Sequence, residues 1–409
     1  MKRLPLPSVL RYPLLTRIGR YEPRVASGTR VLAGEVLAAG NARTAGLLHA
    51  AASGVVEVTQ AEVLLHPDGL EDALPPLAAE DLARRVCDAG IVGLGGAGYP
   101  TWLKLRQAKR AAVTTLVVNA VECEPDVSAD RSLLRDHEDE ILAGLRALAD
   151  YLGASRTILA LGEGRDVDIP DTEVARVTGP YPSGSERTLV RRLLGMELQD
   201  GNPTDLGIVV FNAATVFAVH RAWHCGERLV ERVVTVQDEN CWLRIGHPVR
   251  ELALPAGEVT VGGPVTGWLA RQGESIAKTT RAVTVKTPVE SSPCIRCGWC
   301  ADSCPEGLLP QELFRHINAG HWTGMDALRL DHCVECGACD MACPSRLPLL
   351  ATFRYGKSER RERERRGRDA AVARDRFTAR SARLERQRAD ERREREARMA
   401  SRREWTRPG

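Results

Sequence analysis

Eight of the twelve cysteines fall in two runs of identical spacing. The first is Cys294, Cys297, Cys300 and Cys304, closed by Pro305; the second is Cys333, Cys336, Cys339 and Cys343, closed by Pro344. Both read C-x2-C-x2-C-x3-C-P. Three thiolates at that spacing wrap one cube of iron and sulfide, while the displaced fourth, ahead of proline, reaches the other cube. The reading is therefore two [4Fe-4S] centres, one on Cys294, Cys297, Cys300 and Cys343, the other on Cys333, Cys336, Cys339 and Cys304. A zinc site takes four ligands, usually as two pairs, and fits three-plus-one poorly. Disulfides conflict with a reducing compartment. The remaining Cys87, Cys123, Cys225 and Cys241 lack ligand spacing and read as small buried hydrophobes. Two adjacent clusters carry single electrons, so the chain needs a donor and an acceptor.

A second kind of chemistry is offered by the glycine-dense stretch from Ala89 to Lys104, with glycines at 90, 93, 95, 96 and 98. Without Cβ atoms a backbone can approach a phosphate or a flat ring, and the N–H groups of a following helix attract an anion. Alone such a loop is equally a tight-packing turn. Downstream, the apolar run Leu116–Val118 ends in Asn119, Glu122 and Glu124, an arrangement suited to the ligand end of an open α/β sheet. Two further patches are Gly179–Glu186 and Ile208–Thr215, each also readable as a plain loop or buried strand.

Taken in this order, the strings resemble those of the NADH- and FMN-binding flavoprotein subunit of respiratory complex I. They are still more similar to the C subunit of the Rnf electron-transport complex. The echoes are GLGGAGYPTWLKL, VECEPDVSADR, YPSGSERTL, ERVVTVQ, the Gly262-Gly263-Pro264 turn, both cysteine runs and Phe353–Lys357. The resemblance implies that Gly95, Gly96, Gly98 and Lys104 cradle FMN. It implies further that Asn119, Glu122, Tyr181, Gly184, Glu186, Asn212 and Thr215 line the flavin, with Glu124 towards NAD(H). The chain departs from those relatives at Val121, Asp126 and Ser185.

Several elements must position these groups, and the expected class is multidomain α/β. Residues 1–78 resemble the small barrel-sandwich of lipoyl and biotinyl domains, without an attachment lysine at a hairpin tip. Residues 79–225 are expected to form a Rossmann-like FMN/NADH domain. Residues 226–285 alternate apolar and polar positions between glycine turns and read as a small sheet, a β-grasp module in the family. Residues 286–356 form the ferredoxin-like two-cluster segment. From Lys357 to Gly409 there are 20 Lys/Arg against 11 Asp/Glu and almost no large apolar residues, so this tail is a lone charged helix or disordered.

The whole chain, 409 residues with a net charge of +3, thus joins a mildly acidic body to a basic tail. That tail suits anionic lipid or an acidic partner. No apolar run is long enough for a membrane span, and MKRLPLPSVL lacks the apolar core of a secretory leader. Nucleic-acid binding is not expected, since the tail lacks interleaved aromatics. The functional expectation is a peripheral subunit on the cytoplasmic face of the bacterial inner membrane. It would belong to an ion-translocating NADH:ferredoxin-type oxidoreductase and pass electrons between NAD(H), FMN and two [4Fe-4S] clusters. Its partners would be membrane subunits of an Rnf-type complex and ferredoxin or another iron-sulfur subunit. Two alternatives stay open: a soluble flavin/iron-sulfur cobalamin reductase, and an electron-carrier or scaffold subunit whose flavin site is lost, suggested by Val121 and Ser185.

Overall fold

A computed structural model describes the chain except residues 17–18, 41–45, 163–168, 170–171, 199–200 and 406–409, and gives only the backbone for 400–405. Parts of the expected barrel-sandwich, at 17–18 and 41–45, and the end of the tail lie outside the described residues. The fold is mixed α/β with several sheets. Two compact units are present: residues 1–307 with 334–347, and residues 308–333 with 348–409.

In the first unit, one sheet is wholly parallel. Glycine-rich chain feeds helix α1 (Thr101–Arg110), then strand β1 (Thr115–Ala120), helices α2 (Ala129–Asp136) and α3 (Glu138–Leu152), and strand β2 (Arg156–Leu161). Strand β3 (Glu173–Arg176), helix α4 (Glu186–Leu194), strand β4 (Ile208–Asn212) and helix α5 (Ala213–Cys225) follow. The strand order is β3-β2-β1-β4. Leu116, Val117, Val118 and Ile208 to Phe211 are all buried. Such unbroken apolar runs suit strands covered on both faces. Because the order reverses direction beside β1, a crevice opens beyond the carboxyl ends of β1 and β4, where sheets of this kind hold ligands.

Two antiparallel four-stranded sheets precede it, ordered Leu10–Pro13, Glu62–Pro67, Gly54–Val58, Arg30–Val31 and Leu15–Thr16, Gly19–Pro23, Val36–Gly40, Leu47–His49. Their inward residues, including Leu10, Tyr12, Tyr21, Leu37 and Leu65, share one apolar core. A mixed six-stranded sheet spans Glu231–Val236, Glu239–Arg244, Glu258–Val261, Trp268–Leu269 and Ala282–Lys286. Its edge strand is Lys2–Arg3, paired in parallel with Cys241 and Trp242. The first residues thus join this sheet although they lie in the expected 1–78 segment, because Leu4 donates its amide to Trp242 and packs on that sheet's core.

Two short helices, α6 (Trp299–Asp302) and α7 (Ala338–Ala342), pack together in the first unit. The second unit is built around helix α8 (Leu349–Trp405). Leu349, Leu350 and Phe353 are buried, as are Leu313, Ile317 and Leu330 of the same unit. Gly356 lets α8 lie close to helix Pro310–Asn318, since a Cβ there would come within 2.8 Å of Ile317. This packing divides the expected 286–356 segment between the units and starts the tail helix eight residues before Lys357. Beyond the packed root, pairs such as Glu362–Arg366 at 2.9 Å and Glu394–Arg398 at 3.6 Å line α8 at i,i+4 spacing.

Candidate functional site

The glycine loop is a closed crest. Val92 and Pro100 form a β-bridge, Gly93 donates to the Tyr99 carbonyl at 2.8 Å, and Gly98 to that of Gly93 at 3.1 Å. Gly96 and Gly98 take φ of 116° and 65°, a region that favours glycine. Gly95, Gly96 and Ala97 are exposed at the tip. A Cβ on Gly95 would come within 3.2 Å of Asn212. Leu94 fixes the crest from below: its amide donates to Thr215 Oγ1 at 2.9 Å, and its carbonyl accepts from the buried Arg232. Burial pulls the Arg232 guanidinium down to about 10.

The ends of β1 and β4 bring the polar groups together. Asn119 donates to the Gly184 carbonyl at 2.8 Å and accepts the Val121 amide at 3.0 Å. Gly184 must be glycine, since a Cβ would run into the carbonyl of Val121; its own amide donates to Cys123 Sγ at 3.3 Å. Asn212 caps α5 by accepting the Ala214 amide and donates to Asp130. Glu122 accepts the amides of Asp130 and Arg131, at 3.1 and 3.0 Å, in the first turn of α2. Burial, reinforced by the neighbouring Asp130, pushes the Glu122 carboxyl up to about 7. Burial likewise raises Asp130, against the bond from Asn212. Lys104, on α1, pairs with Glu186 at the start of α4 at 2.9 Å.

Two expected residues also hold partners outside the crevice. Glu124, read as lying towards NAD(H), is buried in the Gly263–Thr266 turn. It accepts the Val265 and Thr266 amides at 2.9 and 2.8 Å and pairs with Arg281. Gly263 makes the room, as a Cβ there would strike the carboxylate. Tyr181 turns its hydroxyl to the carbonyl of Cys336. Asp130, Arg232, Arg281 and Cys123 join the site without having been expected. Ser128 ahead of an acidic first turn is a helix-start signal that marks Asp130; Arg281 has no comparable signal.

The cysteine runs repeat each other in backbone as in spacing. Arg296 and Glu335, each the residue before the second cysteine, take φ of 57° and 56°. Gly298 and Gly337, each after it, take 86° and 74° and open α6 and α7. Ser292 donates to the Ser345 carbonyl and Ser345 Oγ to that of Pro293, so the start of one run meets the end of the other. None of the twelve cysteines is in a disulfide. Among the described residues no group of His, Cys, Asp and Glu closes around a single metal ion. A cube of four irons holds its thiolates further apart than one ion does, and an all-cysteine donor set is the chemistry it takes. In the second unit, Lys357 donates to the carbonyl of Cys333.

Residues 86–221 match the family of the Nuo51 FMN-binding domain, and residues 293–347 that of the 4Fe-4S dicluster domain. The C subunit of the ion-translocating oxidoreductase complex of Yersinia pestis bv. Antiqua (strain Antiqua) is 35% identical over 95% of this chain and 70% of its own. The chain belongs to this C-subunit family. Its counterparts in Edwardsiella ictaluri (strain 93-146) and Erwinia tasmaniensis (strain DSM 17950 / CFBP 7177 / CIP 109463 / NCPPB 4357 / Et1/99) are each 36% identical over 95% of this chain. The chain spans about half the length of these two relatives, 55% in each case. An NAD+-reducing [NiFe]-hydrogenase in the air-oxidized state covers 60% of the chain, with 54% of its own covered, at 23% identity and a TM-score of 0.46. Beside that membership, the chain carries one domain of the Nuo51 FMN-binding family and one of the 4Fe-4S dicluster family. No helix among the described residues is long and apolar enough to cross a membrane.

Proposed function

We propose that this C-type protein is the electron-entry subunit of an ion-translocating NADH:ferredoxin-type oxidoreductase, seated on the cytoplasmic face of the inner membrane beside membrane partners and an iron-sulfur protein. The carrying observation is the convergence of the glycine crest, the β1 and β4 ends and the start of α4 on one crevice. The exposed bare backbone of Gly95 and Gly96, with Gly98 closing the loop, supports a cradle for FMN, and Lys104 supplies the cation. Asn119, Glu122, Tyr181, Gly184, Glu186, Asn212 and Thr215 line it. Bound there, FMN would supply hydride exchange with a nicotinamide and release of electrons one at a time. The residues position and insulate: Thr215 fixes the crest to α5, Asn212 caps that helix, and Glu122 holds a proton close to neutral pH. Glu124 serves the fold through the 263–266 turn.

Cys294, Cys297, Cys300 and Cys343 would hold one [4Fe-4S] cluster, and Cys333, Cys336, Cys339 and Cys304 the other. The two antiparallel N-terminal sheets support the barrel-sandwich reading, the 3-2-1-4 parallel sheet the Rossmann-like one, and the six-stranded mixed sheet the β-grasp one. Anaerobic purification with iron, sulfide and flavin assays tests the proposal. Iron and sulfide near eight each per chain, as two four-iron clusters require, together with FMN and bleaching of the clusters by NADH, are expected. Clusters without FMN or NADH bleaching would sink it in favour of a carrier subunit.

A further inference from the structure

The loop before α4 and the first turn of that helix touch the cysteine segment twice. Tyr181 donates its hydroxyl to the Cys336 carbonyl, and Arg187 pairs with Glu306 at 3.7 Å, two residues past Cys304. By their spacing, Cys304 and Cys336 belong to the same cluster. The two runs differ in cover. Every residue from Pro293 to Cys297 is exposed, and Ile295 and Trp299 are 67% and 57% exposed. In the other run Cys336 is half-buried, and Gly337, Ala338 and Cys339 are buried.

We propose that Tyr181 and Arg187 seat the Cys304–Cys336 cluster against the flavin-site loop, making it the inner carrier. The cluster of Cys294, Cys297, Cys300 and Cys343 is then the outer carrier, facing an acceptor of the iron-sulfur protein class. The assignment rests on the function proposed above. Tyr181 acts as a positioning residue. Its bond to the carbonyl of a ligand fixes that peptide and polarises it, and hydrogen bonds around ligating sulfur set a cluster's potential. In electron terms, NADH yields NAD+, a proton released to solvent and two electrons. The clusters would supply one-electron carriage between ferric and ferrous iron, so the acceptor protein would be reduced twice per NADH, by one electron each time.

The full-length chain with its cofactors carries the test. If the wild-type protein binds no flavin or no iron, the proposed function fails and this assignment with it. With both bound, paramagnetic resonance of the reduced protein should show two cluster signals, of which an aqueous dysprosium chelate speeds the relaxation of one and spares the other. Tyr181→Phe should shift the midpoint and line shape of the spared signal while the other stays in place and the iron content holds. Arg187→Gln should move the same signal and serves if Tyr181→Phe loses iron. A shift confined to the dysprosium-accessible signal, or no shift with either variant, would overturn the ordering while leaving the proposed function intact.

Discussion

Two buried ionisable groups in this chain titrate in adjoining windows with opposite effects on stability. Glu122 is pushed from 4.5 up to about 7 by burial and Asp130. A raised carboxyl contributes stability below its unfolded value, and that contribution is lost as pH rises through about 7. Lys278, fully buried with its ammonium on the carbonyls of Leu47 and Gly90, is pulled from 10.5 down to about 7. Its contribution is present above 10.5 and is lost as pH falls through about 7. Compared with wild type, Glu122→Gln should flatten the fall in thermal stability between pH 5 and 7, and Lys278→Met the rise above 7, read by calorimetry across pH. A wild-type slope retained in either variant would refute that attribution. Gly184→Ala should cost about 1–3 kcal/mol by overpacking against Val121 and lower flavin retention; Gly162→Ala, with nothing within 4 Å, should change neither. At this scale the cysteine runs were legible because each cluster's first three ligands lie close in sequence. The inward turn of Glu124 was not, because it depends on Arg281, 157 residues away, and on the bare backbone of Gly263.

Among the elements, strand content was easier to read than boundaries. The parallel sheet announces itself through Leu116–Val118 and Ile208–Phe211, whose unbroken apolar character marks burial on both faces. The start of α8 was hidden, because Leu349, Leu350 and Phe353 read equally well as the end of the cluster segment until Leu313, Ile317 and Leu330 are seen buried with them. Phe353, 1% exposed, belongs to the packed root, whereas Phe377, 72% exposed, belongs to the solvated shaft. Phe353→Ala should therefore cost the second unit about 3–5 kcal/mol, seen as lost hydrogen-exchange protection in helix Pro310–Asn318. Phe377→Ala should stay within about 0.5 kcal/mol. Equal effects would mean that the shaft packs on something as well.

Across the whole molecule, the charge split read from composition maps onto structure: the basic excess rides on α8. The removal of residues 367–409 takes away 14 arginines and 8 acidic residues while sparing Lys357 and the packed root. That truncated protein should keep the iron, sulfide and flavin content of the full chain. It should also lose retention on phosphatidylserine-rich vesicles at low salt, with the full chain's retention falling as salt rises. Unchanged retention after truncation would remove lipid attraction as the tail's role. The union of Lys2–Arg3 with the sheet of residues 231–286 was invisible in sequence, since two residues carry no periodicity and the pairing spans most of the chain.

No described residue of helix α8 beyond Lys357 is buried, so neither the number nor the identity of these outer residues is constrained by a fit against other residues. At 1.5 Å per residue the 57-residue helix is about 85 Å long, and seven residues added or removed in the shaft change that length by about 10 Å. The shaft is in that sense a graduated ruler: its reach can be reset by insertion or deletion while Phe353 and the rest of its root stay as they are.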